Sequence, residues 1–400
     1  MKREGNLIAK AAEPENLRLA FYLARRGKRC KVEVLNYERQ LDHHLLELRR
    51  QILEGHAECG NYHYFLIYEP KKRLISAAPF AQRVLHHALI NVCYERFERH
   101  LIDFTYACRK DMGTFCALEQ AQEHSRRYGW FLKMDVRKYF DSIDHKRLRI
   151  KLARLFREYR ILSLFDDIIA SYEVQPGRGL PIGNLTSQYF ANYYLSAADH
   201  YMKEQLGAKA YVRYMDDMIV WGDSATELNR IATAFSRFIE EEGLFLKPLV
   251  VNRTQHGLPF LGFLVYPWGI RLGSQSRRRF AGKLRIYLNA VEAGQMEESE
   301  FSRRVLALYG YIGHCRSRGF ASSVIRRYSS AGIGSNRLAR GGSWNNNASN
   351  CTVANRNSAT PANCNNNLGF RVAFSSKQRW IPCYEQPAVN CSCAVALKRD

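Results

Sequence analysis

Three carboxylates stand where they could bind metal ions together. Asp216 and Asp217 end the tight turn Tyr214–Asp217, which lies between two apolar runs, and Asp135 ends a third apolar run that starts at Trp130. The runs are typical of strands, so the sequence predicts a hairpin with two acids at its tip and a neighbouring strand that ends at the third. Asp is also a favoured turn residue, which leaves a solvated turn open. Three carboxylates at neighbouring strand ends would hold two Mg²⁺ ions ~4 Å apart and lower the pKa of an attacking hydroxyl, which predicts phosphoryl transfer.

Around these acids, five ordered motifs resemble those of reverse transcriptases. In chain order they are Asp135–Phe140, Gly179–Gln188, Tyr214–Asp217, Gly243–Pro248 and Leu258–Phe263. The resemblance spans roughly residues 65 to 325 and is more specific than any single motif. It implies an α+β right-hand polymerase with fingers, palm and thumb, an antiparallel palm sheet, and RNA-directed DNA polymerase activity by a two-metal mechanism.

The same resemblance implies roles for individual residues. Asp135, Asp216 and Asp217 would be catalytic, and with the Val136 carbonyl they would hold two Mg²⁺ ions, for which Mn²⁺ could substitute. Phe140 would lie beneath the sugar and exclude a 2′-hydroxyl, although a core aromatic remains open as an alternative. Lys247 would donate a proton to the pyrophosphate leaving group, although a lone lysine at a helix end is commonly solvated.

Other nucleotide-binding candidates come from the fingers and from the second motif. Arg73 and Arg109 occupy positions where the family places cations for the triphosphate, and surface charge or contact with the RNA backbone remains open for both. Ile182, Gly183 and Gln188 belong to the motif that contacts template and dNTP.

This second motif departs from the common pattern of Gln-Gly followed by Ser-Pro. Here Ile182-Gly183 is followed by Ser187-Gln188. A branched aliphatic side chain in place of an amide removes hydrogen bonding beside the nascent base pair. The form is similar to reverse transcriptases of diversity-generating retroelements, which copy adenines unfaithfully. A neutral packing substitution in an enzyme resembling those of group II introns or retrons remains open.

The C-terminal region gives an independent argument. Residues 301 to 384 contain no Asp or Glu, although the chain has 38. Arg340–Trp344 and Gly369–Val372 bracket several Asn runs, and these ends resemble the closing segment of the formylglycine-generating-enzyme type of C-type-lectin fold, a frequent variable target of such retroelements. Asn codons begin with two adenines, so a template repeat suited to adenine mutagenesis would be rich in them. Translated in frame, such a repeat would encode runs of Asn. The tail is therefore predicted to be a translated template repeat with poor structure; an Asn-rich disordered tail and a truncated lectin module remain open.

Composition favours a polyanionic partner. The formal net charge is +22, from 60 Lys and Arg against 38 acids. Such a charge suits nucleic acid, because backbone neutralisation supplies sequence-independent affinity. The expected partners are template RNA, the cDNA product and dNTPs; a small basic helical-bundle accessory protein is implied by the resemblance alone.

Other compositional features concern location and thiols. No apolar run approaches the ~20 residues of a membrane span, and no apolar stretch follows Met1. These observations predict a cytoplasmic protein without a membrane partner. The 11 cysteines show no zinc-type spacing, so free thiols are expected.

Four regions are expected along the chain. They are a basic helical N-terminal extension (1–64) with helical stretches near 13–26 and 37–53, fingers and palm (65–272), a helical thumb (273–330), and the Asn-rich tail (331–400). Two other functions remain open: a group II intron-like or retron-like reverse transcriptase, and a non-catalytic RNA-binding scaffold. The presence of all three acids argues against the scaffold.

Overall fold

The structure is a computed structural model. It describes residues 6–68, 72–313, 315, 317, 319–321, 323–324, 337–340 and 356–359. The chain divides into two compact units, Met1–Arg277 and Arg278–Asp400. None of the described helices is long and apolar enough to cross a membrane.

Four helices form the N-terminal extension: α1 (Leu7–Ala11), α2 (Pro14–Ala24), α3 (Val32–Arg39) and α4 (Leu41–Glu54). The helical stretch expected near 37–53 is confirmed from Leu41 onwards as α4, but the chain breaks at Gln40, with φ −122° and ψ 38°, so Tyr37 belongs to the separate helix α3. The corner lets the Tyr37 ring stack on His44 at 4.4 Å and meet the Phe80 ring edge-on at 5.1 Å. Aromatic packing thus overrides helix continuity here.

A hairpin and two helices follow. They are β1 (His63–Ile67), β2 (Arg73–Ala77), α5 (Phe80–Glu98) and α6 (Thr114–Arg127). The hairpin is antiparallel, with His63 opposite Ala77. It is joined to the Gly179–Gln188 motif, since the Ser76 N–H donates to the Ile182 carbonyl at 2.9 Å.

The central sheet has four antiparallel strands in the order β4-β5-β3-β6. These are β3 (Trp130–Asp135), β4 (Ala210–Tyr214), β5 (Asp217–Gly222) and β6 (Val250–Arg253). The predicted strand from Trp130 and the predicted hairpin are confirmed. Strand β3 lies between β5 and β6, and its side chains Phe131, Leu132 and Met134 are buried.

Helices surround this sheet. They are α7 (Tyr139–Ser142), α8 (His145–Leu155), α9 (Tyr159–Ala170), α10 (Leu185–Tyr194), α11 (Ser196–His200), which continues as a π-helical turn (Tyr201–Gln205), and α12 (Ala225–Glu241). Helix α12 starts where the Ser224 side chain accepts from the Glu227 N–H. It buries Leu228, Ile231 and Phe235, the spacing of one helical face.

A second sheet contains β7 (Leu258–Phe260), β8 (Phe263–Tyr266) and β9 (Gly269–Leu272), all antiparallel. Leu261 and Gly262 both have positive φ, 49° and 85°, as a two-residue hairpin turn requires. The helices α13 (Ser274–Glu292) and α14 (Glu298–Gly313) follow, within the expected thumb. The α+β class with an antiparallel palm sheet is confirmed.

Most of the Asn-rich tail lies outside the described residues, and so does the prediction about its order. Within it, β10 (Arg337–Arg340) and β11 (Arg356–Ala359) form an antiparallel pair.

Candidate active site

The three predicted acids meet at one end of the central sheet. Asp135, the last residue of β3, lies directly opposite Asp217, the first residue of β5. Directly opposed residues in an antiparallel pair have Cβ atoms about 4.5–5.5 Å apart. Asp216 lies in the two-residue turn between Tyr214 and Asp217, which pair with each other. The fold therefore brings together carboxylates that are about 80 residues apart in sequence.

The turn itself is unusual in its backbone. Met215 has φ 55°, in the left-handed region that non-glycine residues rarely adopt. Beneath it, the buried Arg213 guanidinium donates to the Met215 carbonyl at 3.1 Å and to the Asp199 carboxylate at 2.6 and 2.7 Å. This hydrogen bond fixes the turn to the core and supports its strained conformation.

Two lysines contact the acids. The Lys247 ammonium lies 2.6 Å from Asp135 Oδ1, and the Lys133 ammonium lies 3.3 Å from Asp217 Oδ2. Lys133 also donates to the Pro259 carbonyl at 2.7 Å. Lys133 is two residues before Asp135, so strand alternation places both on the same face of β3. The two ammonium groups partly neutralise a site that would otherwise hold three negative charges.

Burial nevertheless makes ionisation costly here. Burial raises the pKa of Asp217 to about 6, and Lys133 offsets only part of this rise. The pKa of Asp216 is also raised, first by burial and then by the Asp135 carboxylate, while Lys247 and Arg73 act in the opposite direction. A bound cation favours the ionised form of such carboxylates, and it therefore lowers the pKa that burial has raised.

The donor set fits a divalent ion in chemistry, although the described residues contain no converged group of three or more His, Cys, Asp or Glu side chains. Each lysine holds one carboxylate oxygen, Lys247 that of Asp135 and Lys133 that of Asp217. The Asp217 Oδ1 atom is buried and has no hydrogen-bond partner among the described residues. Such an orphaned anionic oxygen is a suitable ligand for Mg²⁺.

The backbone around Val136 supports the same fit. Val136 forms an isolated bridge with Leu246, in which the flanking residues make the hydrogen bonds: Lys247 N–H to Asp135 O at 2.8 Å and Arg137 N–H to Phe245 O at 2.7 Å. The polar groups of Val136 therefore point away from residue 246. Its N–H lies 3.4 Å from the Asp216 carbonyl.

Three predicted nucleotide-binding residues lie on the elements that frame the acids. The Phe140 carbonyl accepts from the Leu180 N–H at 2.9 Å, and its ring is only half-buried. Ile182 joins β2 through the bond from Ser76, and Gly183 has φ 118° with Ile75 packed 2.8 Å from where a Cβ would lie. This tight approach explains the glycine.

The cationic candidates behave differently from each other. Arg73 at the start of β2 is exposed and acts electrostatically on Asp216. The side chain of Arg109 is only 6% exposed, and it forms an ion pair with Glu98 at 2.7 Å and donates hydrogen bonds to the Ile102 and Thr105 carbonyls. Its donors are used in structural contacts, so we leave Arg109 out of the proposed nucleotide site.

Gln188 is likewise engaged away from the acids. Its Oε1 accepts from the Cys108 thiol at 3.4 Å. This α10 residue therefore contacts the 101–113 segment, and the described contacts of Gln188 show no hydrogen bond to the acidic cluster.

Two segments of the chain match known protein families. Residues 69–265 match the family described as "Reverse transcriptase (RNA-dependent DNA polymerase)". This segment is similar to reverse transcriptase domains. Residues 266–376 match a second family, the "Sulfatase-modifying factor enzyme 1-like domain". The predicted formylglycine-generating-enzyme resemblance is thus supported, but it begins well before the expected tail and includes α13 and α14.

Protein P of two hepatitis B viruses is similar to part of this chain. Protein P of hepatitis B virus genotype A3 (isolate Cameroon/CMR711/1994) is 23% identical over 199 residues, which is 49% of this chain and 22% of that protein. Protein P of gibbon hepatitis B virus (isolate Hope) is 23% identical over 44% of this chain and 21% of its own length. The chain therefore spans about a fifth of these relatives.

Solved structures with similarity include two yeast telomerases. Telomerase from Candida albicans, in complex with a TWJ fragment of telomeric RNA, has 12% identity and a TM-score of 0.43, covering 59% of this chain and 52% of that one. The Candida tropicalis enzyme with the same type of fragment has 11% identity and a TM-score of 0.41, with coverage of 67% and 55%.

Two parts of the site were missed from the sequence. Lys133 interrupts an apolar run two residues before Asp135, and this spacing alone could have placed it beside the acids. Arg213 and Asp199 each lie in an apolar stretch of the sequence, and a buried charge is costly unless a charge of opposite sign pairs with it. This requirement could have predicted the Arg213–Asp199 ion pair from the sequence.

Proposed function

We propose that this chain is an RNA-directed DNA polymerase. The observation that carries the proposal is the direct register of Asp135 against Asp217, with Asp216 beside them, inside the reverse transcriptase domain. Asp135, Asp216, Asp217 and the Val136 carbonyl would hold two Mg²⁺ ions, or Mn²⁺ in their place. Bound there, the ions supply charge neutralisation for phosphoryl transfer and activation of the primer hydroxyl.

The chain's own residues would supply the other functions. The ammonium of Lys247 would protonate the leaving pyrophosphate, and its ion pair with Asp135 supports this role. Arg73 adds positive charge close to Asp216 for the triphosphate. Phe140, the last residue of the first motif, lies on α7 and would restrict the sugar to its 2′-deoxy form. Ile182, Gly183 and Gln188 would line the template side.

Primer extension on an RNA template tests the polymerase proposal. The double variant Asp216→Ala, Asp217→Ala should lose dNTP incorporation and retain RNA affinity, because the acids face the reacting atoms and not the RNA backbone. Asp223 is an exposed acid directly after the far end of β5; Asp223→Ala is the matched control and should extend the primer normally. Incorporation that persists in the double variant would overturn the site. A wild-type protein that binds RNA but never extends would support the scaffold function.

We further propose that the polymerase serves a diversity-generating retroelement and makes adenine-mutagenised cDNA from a template-repeat RNA. Two observations support this: Ile182 in place of the usual amide, and a sulfatase-modifying-factor type segment joined to a reverse transcriptase domain in one chain. The partners would be the template RNA, its cDNA and a small basic helical-bundle accessory protein. The proposed location is the cytoplasm.

Nucleotide sequencing across the locus tests this second proposal. A second copy of the DNA that encodes residues 340–372, in another reading frame and differing almost only at adenines, is expected. Differences spread over all four bases, or no second copy, would contradict it and leave a group II intron-like or retron-like enzyme.

A further inference from the structure

The backbone bridge beside the acids places two unassigned side chains on the catalytic face. Residues 135–137 run antiparallel to residues 245–247, with Val136 opposite Leu246. The bonds Lys247 N–H to Asp135 O and Arg137 N–H to Phe245 O define the register. Asp135 therefore faces Lys247, and Arg137 faces Phe245.

Alternation decides which side these residues occupy. Val136 is fully buried, and Leu246 packs against the same hydrophobic core, so this pair faces inward. The neighbours on either side must face outward. Asp135 and Lys247 do so and form their 2.6 Å ion pair there. Arg137 and Phe245 therefore project from the same surface, one residue pair further along.

Phe245 is unusually exposed for an aromatic residue. Phe245 is 59% exposed, and Arg137 is exposed as well. No ion pair or hydrogen bond of the Arg137 guanidinium occurs within the part of the chain that the structure describes, whereas the nearby Lys133 and Lys247 are both paired with acids. An unpaired guanidinium next to an acidic cluster, with an uncovered aromatic ring across from it, suits an anion that occupies this face when substrate is bound.

We infer that Arg137 binds the terminal phosphates of the incoming nucleoside triphosphate and that Phe245 is its positioning residue. This inference rests on the proposed polymerase function. The reacting phosphate would lie at the carboxylates, and the two phosphates that leave as pyrophosphate would extend along the same face towards Arg137. Because Phe245 lies directly opposite Arg137 across the bridge, its ring would limit the rotamers of Arg137 and keep water from one side of the bound phosphates.

Steady-state primer extension with varied dNTP tests the inference. Arg137→Gln should raise KM about tenfold, the equivalent of about 1.4 kcal/mol, with kcat within about twofold. Inhibition by inorganic pyrophosphate should weaken by a similar factor, an effect that a purely structural role would not produce. Arg137→Lys should recover part of both. Arg237→Gln, which removes an exposed charge from α12, is the matched control and should change neither.

Phe245 is tested in the same assay. Phe245→Ala should raise KM and weaken pyrophosphate inhibition by several-fold, and Phe245→Leu should restore most of both because an apolar wall remains. Unchanged KM and unchanged pyrophosphate inhibition in Arg137→Gln would overturn the inference while the polymerase proposal stands. A wild-type protein without incorporation refutes the polymerase proposal instead. Calorimetric titration with inorganic tripolyphosphate then decides the inference: weaker binding by Arg137→Gln supports it, and equal binding overturns it.

Discussion

Arg213 and Asp199 form a two-pronged ion pair in which both side chains are completely buried. Arg213 Nη2 lies 2.6 Å from Asp199 Oδ2, and Nε lies 2.7 Å from Oδ1. Tyr211 donates a further bond to Asp199 at 2.8 Å, and Arg213 reaches the carbonyl of Met215 in the acidic turn. The pair thus connects the protein core to the turn that carries Asp216.

We expect Asp199→Asn to destabilise the protein by about 3–5 kcal/mol, because the amide leaves the buried guanidinium without its counter-charge. Urea denaturation followed by circular dichroism measures the change. Asp42→Asn removes the exposed Arg18–Asp42 pair, 2.8 Å apart, and should cost less than about 1 kcal/mol. Equal losses of unfolding free energy in the two variants would show that the buried pair does not stabilise the fold more than an exposed pair does.

Asp217 gives the fold a pH dependence whose sign follows from its raised pKa. The folded-state pKa is about 6, against 3.8 for the ordinary carboxyl. Between pH 3.8 and about 6 the folded protein retains a proton on Asp217 that the unfolded chain has lost. Stability therefore falls as the pH rises through this range, and above it the full cost of ionising the buried carboxyl is present.

Asp217→Asn should therefore stabilise the metal-free protein at pH 8 by roughly 1–3 kcal/mol and give little gain at pH 4. Denaturation at both pH values, with a chelator present, makes the comparison. Asp223→Asn changes an exposed acid of the same strand region and should have little effect at either pH. Added Mg²⁺ should stabilise the wild type more than Asp217→Asn; a stabilisation independent of pH would contradict the assignment to this carboxylate.

Much of this site could be predicted from local sequence. The turn at Met215 and Asp216 is short, and the runs on either side have strand composition, so the hairpin was predictable. The pairing of Asp135 with Asp217 could only be expected in general terms. Strand β3 precedes β5 by about 80 residues, and its register depends on which faces the surrounding helices cover.

Contacts of long charged side chains were the least predictable part. The sequence shows that Arg109 is a cation near the fingers, but not that Glu98 and two carbonyls occupy its donors. Arg73 has the same charge and remains exposed near Asp216. The difference arises from tertiary packing, which local pattern does not encode.

Gly183 is the tightest point between β2 and the Gly179–Gln188 motif. Its φ of 118° suits glycine, and a Cβ would lie 2.8 Å from Ile75 Cγ2. Gly183→Ala should cost about 1–3 kcal/mol and reduce dNTP incorporation through displacement of the β2 hairpin. Thermal unfolding and primer extension measure both effects. Gly129→Ala meets no atom within 4 Å and should be close to neutral; a neutral Gly183→Ala would show that β2 moves at no cost.

Ile182 is the residue through which we expect the structure to affect the fidelity of copying. Its carbonyl is held by Ser76, so its position is fixed, while its half-buried side chain supplies no hydrogen bond to a base. Ile182→Gln would restore an amide at that position. We expect misincorporation opposite template adenine to fall more than misincorporation opposite the other bases, as measured by sequencing cDNA from an RNA template of balanced composition. Ile182→Leu, which keeps an aliphatic side chain, should retain the wild-type error pattern. Identical error spectra for Ile182→Gln and Ile182→Leu would show that Ile182 does not affect fidelity and that the side chain at this position only fills space in the packing.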